Sequence, residues 1–147
     1  IYEYCVIFLY KKKVLDKNFA LTIMDGPFFT LYPWNDKNEF GLYSVKDSRL
    51  LKNKNINYLE KKISKKINKY YLKKIKQDVE ENFKKYYPKF KNDFIFKKYL
   101  FSYRTIIENK YDTRVCKVYK KKNEIAVFPG KIDHVFFAYE QIKKYIS

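Results

Sequence analysis

Glycine occurs at only three positions in this chain of 147 residues, at 26, 41 and 130. That scarcity limits what the chain can build. A dinucleotide-binding loop of the form G-x-G-x-x-G cannot be written with three isolated glycines. Glycine meets proline at two of these places. Asp25-Gly26-Pro27 is turn chemistry, because glycine accepts positive φ and proline cannot pair in a ladder. Pro129-Gly130 closes the apolar run Ile125–Phe128 and precedes a last helical stretch, Ile132–Ile146.

Between these punctuation marks the apolar pattern has two periods. Residues 2–12 are apolar on both faces in their middle, as expected of a central, covered strand. Leu15–Asn18 reads as a turn, Phe19–Met24 as a second strand, Phe28–Trp34 as a third and Glu39–Lys46 as a fourth, with a hairpin loop at 35–38. Pro33 suits a strand end or an edge. Tyr58–Tyr87 is then helical, with Leu59, Ile63, Ile67, Tyr71, Ile75, Val79, Phe83 and Tyr87 at every fourth residue. At 3.6 residues per turn such a stripe drifts by about 40° per step. The helix is therefore expected to bend or break, with the break placed near Lys74–Gln77, and to stop at Pro88. Further strands are expected at 94–107, Thr113–Tyr119 and Glu124–Phe128, with a loop at 108–112 and a lysine-rich turn at 120–123. The expected class is α+β: a mostly antiparallel sheet with a long packed helix, followed by a C-terminal strand–helix. The expected division is 1–110 and 111–147.

Composition narrows the function classes. The formal charge is +17, yet all but three of the 33 basic residues are lysine, arginine standing only at 49, 104 and 114. Nucleic-acid readers favour arginine for its two-pronged contacts, so a lysine surplus argues for general attraction to polyanions more than for specific recognition. No apolar run approaches the roughly 18–20 residues of a membrane span, and no signal-like segment opens the chain. A cytoplasmic protein is the expectation. Cys5 and Cys116 lie in strand-like runs and read as small core residues. His134 has no second histidine or cysteine at zinc spacing, and no metal site is expected. No nucleophile–base pair, phosphate loop or pair of catalytic carboxylates stands out, so no catalytic residue is assigned.

Several short motifs occur in a telling order. Asp25-Gly-Pro-Phe28 is followed by Leu42-Tyr-Ser-Val45, then Tyr103-Arg-Thr-Ile106, Asp112-Thr-Arg114, and Pro129-Gly-Lys131 with its helix. In this order the chain resembles the substrate domain and C-terminal part of FAD-dependent oxidoreductases of the D-amino-acid-oxidase-like superfamily. The resemblance implies a flavoprotein in which a small substrate is held against FAD for hydride transfer. It implies that Arg104 holds a substrate carboxylate, with the hydroxyls of Tyr43 and Tyr103 lining the pocket and Arg114, beside Asp112, as a second candidate. From the residues alone, Arg104 could equally form an ion pair, and the tyrosines could be ordinary packing. The resemblance also implies that Pro129, Gly130, Lys131 and Ile132 sit at the flavin, where free N–H groups and a helix dipole stabilise negative charge on the reduced ring. Residues 111–147 would then return to the FAD-binding domain. The dinucleotide-binding part is not among these residues, and a chain opening at Ile1 reads as a fragment, inactive alone, whose partner is the missing N-terminal region. The competing reading is a lysine-rich nucleic-acid-binding or interaction domain without catalysis.

Overall fold

The computed structural model describes residues 1–14, 19–24, 26, 28–35, 38–107, 115–128, 130 and 132–146. The chain divides into two compact units, Ile1–Ile106 and Ile107–Ser147. The class is α+β, and all strand pairs are antiparallel.

The first unit is organised by β1, Tyr2–Lys12. One side of β1 pairs along its whole length with β6, Phe94–Thr105. The other side is shared, with β4 (Glu39–Ser44) against residues 8–11 and β5 (Arg49–Asn53) against residues 2–5. The sheet continues outward from β4 through β3 (Phe29–Asn35) to the two-residue β2 (Leu21–Thr22). Pro33 lies within β3, and Gly26 bends the chain with φ of 78°. The turns placed at 15–18 and 108–112, and Asp25 and Pro27, fall outside the described residues. The second expected strand contracts to Leu21–Thr22, and β5 was not expected. It forms because Ser44, Asp47 and Ser48 make a self-contained turn. The Ser48 N–H donates to the Ser44 carbonyl at 2.9 Å, and the Ser44 N–H donates to the Ser48 hydroxyl at 2.9 Å.

Successive residues of a strand point to opposite faces, so β1 separates two surfaces. Val6, Phe8 and Tyr10 join Phe29, Leu31, Phe40, Leu42, Phe90 and Phe94 in the main core. There are two helices where one was expected, α1, Ile56–Lys66, and α2, Lys69–Lys84, and α2 packs on that face through Leu72, Val79 and Phe83. The break is at Ile67–Asn68, ahead of the expected Lys74–Gln77. Asn68 is extended, and its side chain accepts from the Tyr71 N–H at 2.9 Å, satisfying an N–H that has no partner inside the helix. Asn55 caps α1 in the same manner, accepting from the Tyr58 N–H at 3.2 Å. The break resets the helical phase. Leu72 is buried rather than Tyr71, and Val79 and Phe83 follow it about two and about three turns later. A short α3, Phe90–Asp93, delivers the chain to β6.

In the second unit, β7 (Lys117–Lys121) and β8 (Glu124–Phe128) form a hairpin. A 3-10 turn, Ile132–His134, leads into α4, Val135–Ile146. The Lys120 ammonium donates to the Tyr145 carbonyl at 2.6 Å, tying hairpin to helix. Among the described residues of this unit only Cys116 and Ala138 are buried hydrophobics, while Phe136 is 78% and Ile146 72% exposed. A hairpin and one helix bury too little to be stable on their own.

No helix among the described residues is long and apolar enough to cross a membrane.

Candidate functional site

The face of β1 opposite α2 carries Glu3, Cys5, Ile7 and Leu9. Glu3 is directly across from Arg104 on β6, and Cys5 is across from Arg49 on β5. A carboxylate on the central strand is therefore flanked by a guanidinium from each neighbour, within the reach of directly opposed and diagonal cross-strand pairs. Arg104 donates from Nε to Glu3 Oε2 at 2.9 Å and from Nη2 to the same oxygen. Arg49 Nη1 donates to Oε1 at 3.3 Å. The Glu3 side chain is fully buried, whereas those of Arg49 and Arg104 are 45% and 42% exposed.

Burial alone would push the Glu3 carboxyl upward. The Arg104 hydrogen bond and charge, joined by those of Arg49, outweigh it and hold the group below the ordinary carboxylate value. Burial likewise disfavours the charged Arg104, but Glu3 more than compensates and keeps it more basic than a free guanidinium. Ionised Glu3 therefore stabilises the fold fully above the unfolded-state value of about 4.3. That contribution is lost as pH falls through the lower folded-state value. In urea titrations from pH 7 to pH 3, the stability advantage of the parent over Glu3→Gln is expected to be constant down to about pH 5 and to narrow below that. An advantage that stayed constant through the acid range would refute the ionised pairing.

Tyr43, on β4, shares this face, and its hydroxyl donates to Cys5 Sγ at 3.9 Å. Burial, helped by Cys5, pushes the phenol up to about 12, so it remains a proton donor at neutral pH. Burial also raises the Cys5 thiol, leaving it an unreactive neutral group. Further out, Tyr32 on β3 lies across Gly41, and a Cβ built at 41 would meet the Tyr32 ring at 2.9 Å. Trp34 adjoins Tyr32 at 6.0 Å between ring centres. Gly41→Ala is expected to displace the Tyr32 ring, costing about 1–3 kcal/mol as overpacking does. An altered tryptophan emission together with that loss would show it; an unchanged stability would not fit this packing.

The structure thus brings Arg104 and Tyr43 to one face, while Tyr103 belongs to the other. Adjacent to Arg104 on β6, it points to the opposite side, where its ring lies 5.1 Å from that of Tyr4 and stands 42% exposed. Glu3 and Arg49, which the sequence reading did not single out, complete the cluster.

In the second unit, Gly130 is exposed with φ of 69°, a conformation that favours glycine. The backbone after it passes through the 3-10 turn at Ile132–His134 before α4 begins at Val135. Pro129, Lys131, Asp112 and Arg114 lie outside the described residues, as does the side chain of Ile132. No group of three His, Cys, Asp or Glu among the described residues could hold a metal ion. No family model, no curated protein and no solved structure matches this chain.

Proposed function

We propose that this chain is the substrate domain and C-terminal part of an FAD-dependent oxidoreductase of the D-amino-acid-oxidase-like superfamily. The observation that carries the reading is the division of labour on β1. One face is packed against α2, while the other holds a charged cluster with half-exposed guanidinium groups and a protonated tyrosine. An antiparallel sheet whose second face presents half-exposed arginines over buried strand residues offers a rigid wall on which a substrate can be positioned against a flavin. Arg104 and Tyr43 would hold the substrate there. Tyr103, on the other face, would not contribute.

The second unit supports the same reading. Its helix exposes Phe136, Phe137, Tyr139 and Tyr145, which are spread around much of its circumference, the pattern of a helix meant to be buried in a larger domain. Its Gly130 bend is open rather than buried, and is followed by backbone N–H groups at the start of a helical segment. In the proposed protein, Pro129–Ile132 would lie against the flavin, and FAD would supply the hydride acceptor.

The test is made on the full open reading frame in which this chain lies. The purified protein is expected to show oxidised-flavin absorption. Gly130→Val is expected to weaken flavin retention, and Arg104→Gln to retain flavin but lose substrate-driven bleaching. A folded, colourless protein that takes up no flavin on reconstitution would overturn the proposal.

A further inference from the structure

Among the described residues β6 pairs with β1 and with no strand on its outer side. On the face that carries α2, it sets out Tyr99, Phe101 and Tyr103 in a row, joined by Tyr4 of β1. The rings of Tyr4 and Phe101 are 5.5 Å apart and 4° from parallel, and Tyr99 follows Phe101 at 6.4 Å and 28°. Phe101 and Tyr103 are each 42% exposed. The other wall is α2. Lys76 Nζ lies 5.0 Å from the centre of the Phe96 ring, which puts one flank of α2 beside β6. Burial and then the Glu80 charge raise the Tyr99 phenol, so Glu80 is on that flank too. Helix and strand run in opposite directions here. Phe83 meets Phe90, which stacks on Phe94, whereas Lys76 reaches Phe96. Earlier residues of α2 therefore accompany later residues of β6. By helical spacing Lys73 and Lys69 share the flank of Lys76, about one and about two turns nearer the aromatic row. Both are exposed and make no ion pair among the described residues. Glu80, the acid of α2 on this flank, is engaged by Tyr10 and Lys76 and leaves them unneutralised.

We propose that the groove between α2 and β6 binds single-stranded nucleic acid, with bases stacked on Phe101 and Tyr103 and phosphates along Lys69 and Lys73. A row of exposed rings beside a line of cations is the arrangement that holds a single strand. A duplex cannot use it, because its base faces are already stacked on one another. Lysines carry charge without the two-pronged geometry that reads base edges, so the site is tolerant of sequence. The alternative occupant of a sheet edge is another strand. Against that, β6 carries exposed Lys97 and Lys98, and its register shifts beside them, opposite Leu9 and Tyr10. Lysines and bulges are the devices that keep strands off an edge. A second copy of this chain would bring its +17 against an equal charge. The groove lies across the sheet from Arg104, and the proposal does not rest on the flavin reading.

The protein of the full open reading frame is titrated into a fluorescein-labelled single strand of mixed-sequence DNA, and binding is read by fluorescence anisotropy. Base faces and phosphates are common to DNA and RNA, so a DNA strand serves as the probe. The unlabelled duplex of the same sequence, inorganic polyphosphate and a polyglutamate peptide are run as competitors. The single strand is expected to bind more tightly than any of them. Phe101→Ala and Tyr103→Ala are each expected to weaken it about tenfold, near 1.4 kcal/mol, without changing the affinity for polyphosphate. Lys69→Gln combined with Lys73→Gln is expected to flatten the dependence of log affinity on log salt by about 0.7 for each lysine. Both lysines are exposed, so this double variant reads the groove without disturbing the core. Should an alanine variant fail to fold, Phe101→Leu removes the ring while keeping most of the volume. Equal affinity for the single strand and polyphosphate would reduce the effect to net charge and overturn the proposal, as would unchanged binding in the aromatic variants. Tighter binding of polyglutamate would assign the groove to an acidic peptide and overturn it equally. None of these measurements involves flavin, so their failure would leave the FAD reading standing.

Discussion

Phe83→Ala is expected to lower the unfolding free energy by about 3–5 kcal/mol, the range for removing a buried phenylalanine ring. Phe83 is fully buried on the sheet-facing side of α2. Its ring centre lies 5.4 Å from that of Phe29 on β3 and 5.1 Å from that of Phe90 on α3, the latter edge-on. Tyr87 closes the cluster at 6.4 Å. Edge-on and tilted aromatic contacts add to the area term, and such a cage of rings cannot collapse to fill a void without leaving its rotamers. Domains of this size are stable by only about 5–15 kcal/mol, so the variant should lose a large part of its resistance to urea. Its midpoint is expected to fall with the slope unchanged. Phe83→Leu, which preserves most of the volume, should cost markedly less. A loss below about 1 kcal/mol for the alanine variant would mean that α2 is not seated on the sheet as described.

Much of this architecture was legible in the residues. The central strand announced itself because it is apolar on both faces, and β6, β8 and the final helix lie close to their expected bounds. The helix break was legible in kind but not in place. The four-residue stripe showed that one straight helix could not stay on the sheet, while the cap that starts the second segment is a single asparagine, Asn68, among many in the chain. Strand β5 escaped because its five residues include Arg49, Lys52 and Asn53, and the turn that launches it depends on serine hydroxyls rather than glycine.

The site shows the same division. Arg104 and its neighbour Tyr103 are grouped in the sequence reading, although adjacent strand residues face opposite ways, a signal the sequence does contain. Glu3 carried no signal at all. Its partners are 46 and 101 residues away, and one carboxylate in an apolar strand looks like any strand-end charge until the register is known. Cross-strand chemistry is set by pairing, and pairing is non-local.

On the sealed face, the counterpart of Glu3 is Glu80, and its removal should be nearly as disruptive as that of Phe83. Glu80 is buried on α2, where its Oε1 accepts from the Tyr10 hydroxyl at 2.8 Å and from the Lys76 ammonium at 2.7 Å, with Lys91 3.9 Å from Oε2. Burial, reinforced by the Glu80 charge, pushes the Tyr10 phenol far up, so it stays a donor throughout the working pH range. Glu80→Ala removes that acceptor from a hydroxyl that water cannot reach and leaves Lys76 partly buried without its carboxylate. The expected loss is about 2–4 kcal/mol. Tyr10→Phe alone should cost about 1 kcal/mol, and in that background Glu80→Ala should cost at least about 0.5 kcal/mol less than in the parent. Strict additivity would show that the pair is not coupled. The same comparison reaches the open face, because Tyr10 and Glu3 belong to one strand. If α2 holds β1 in register through Tyr10, loosening that contact should also weaken the Arg49–Glu3–Arg104 ion pairs, visible as broadened Nε–H signals of Arg49 and Arg104 in Glu80→Ala.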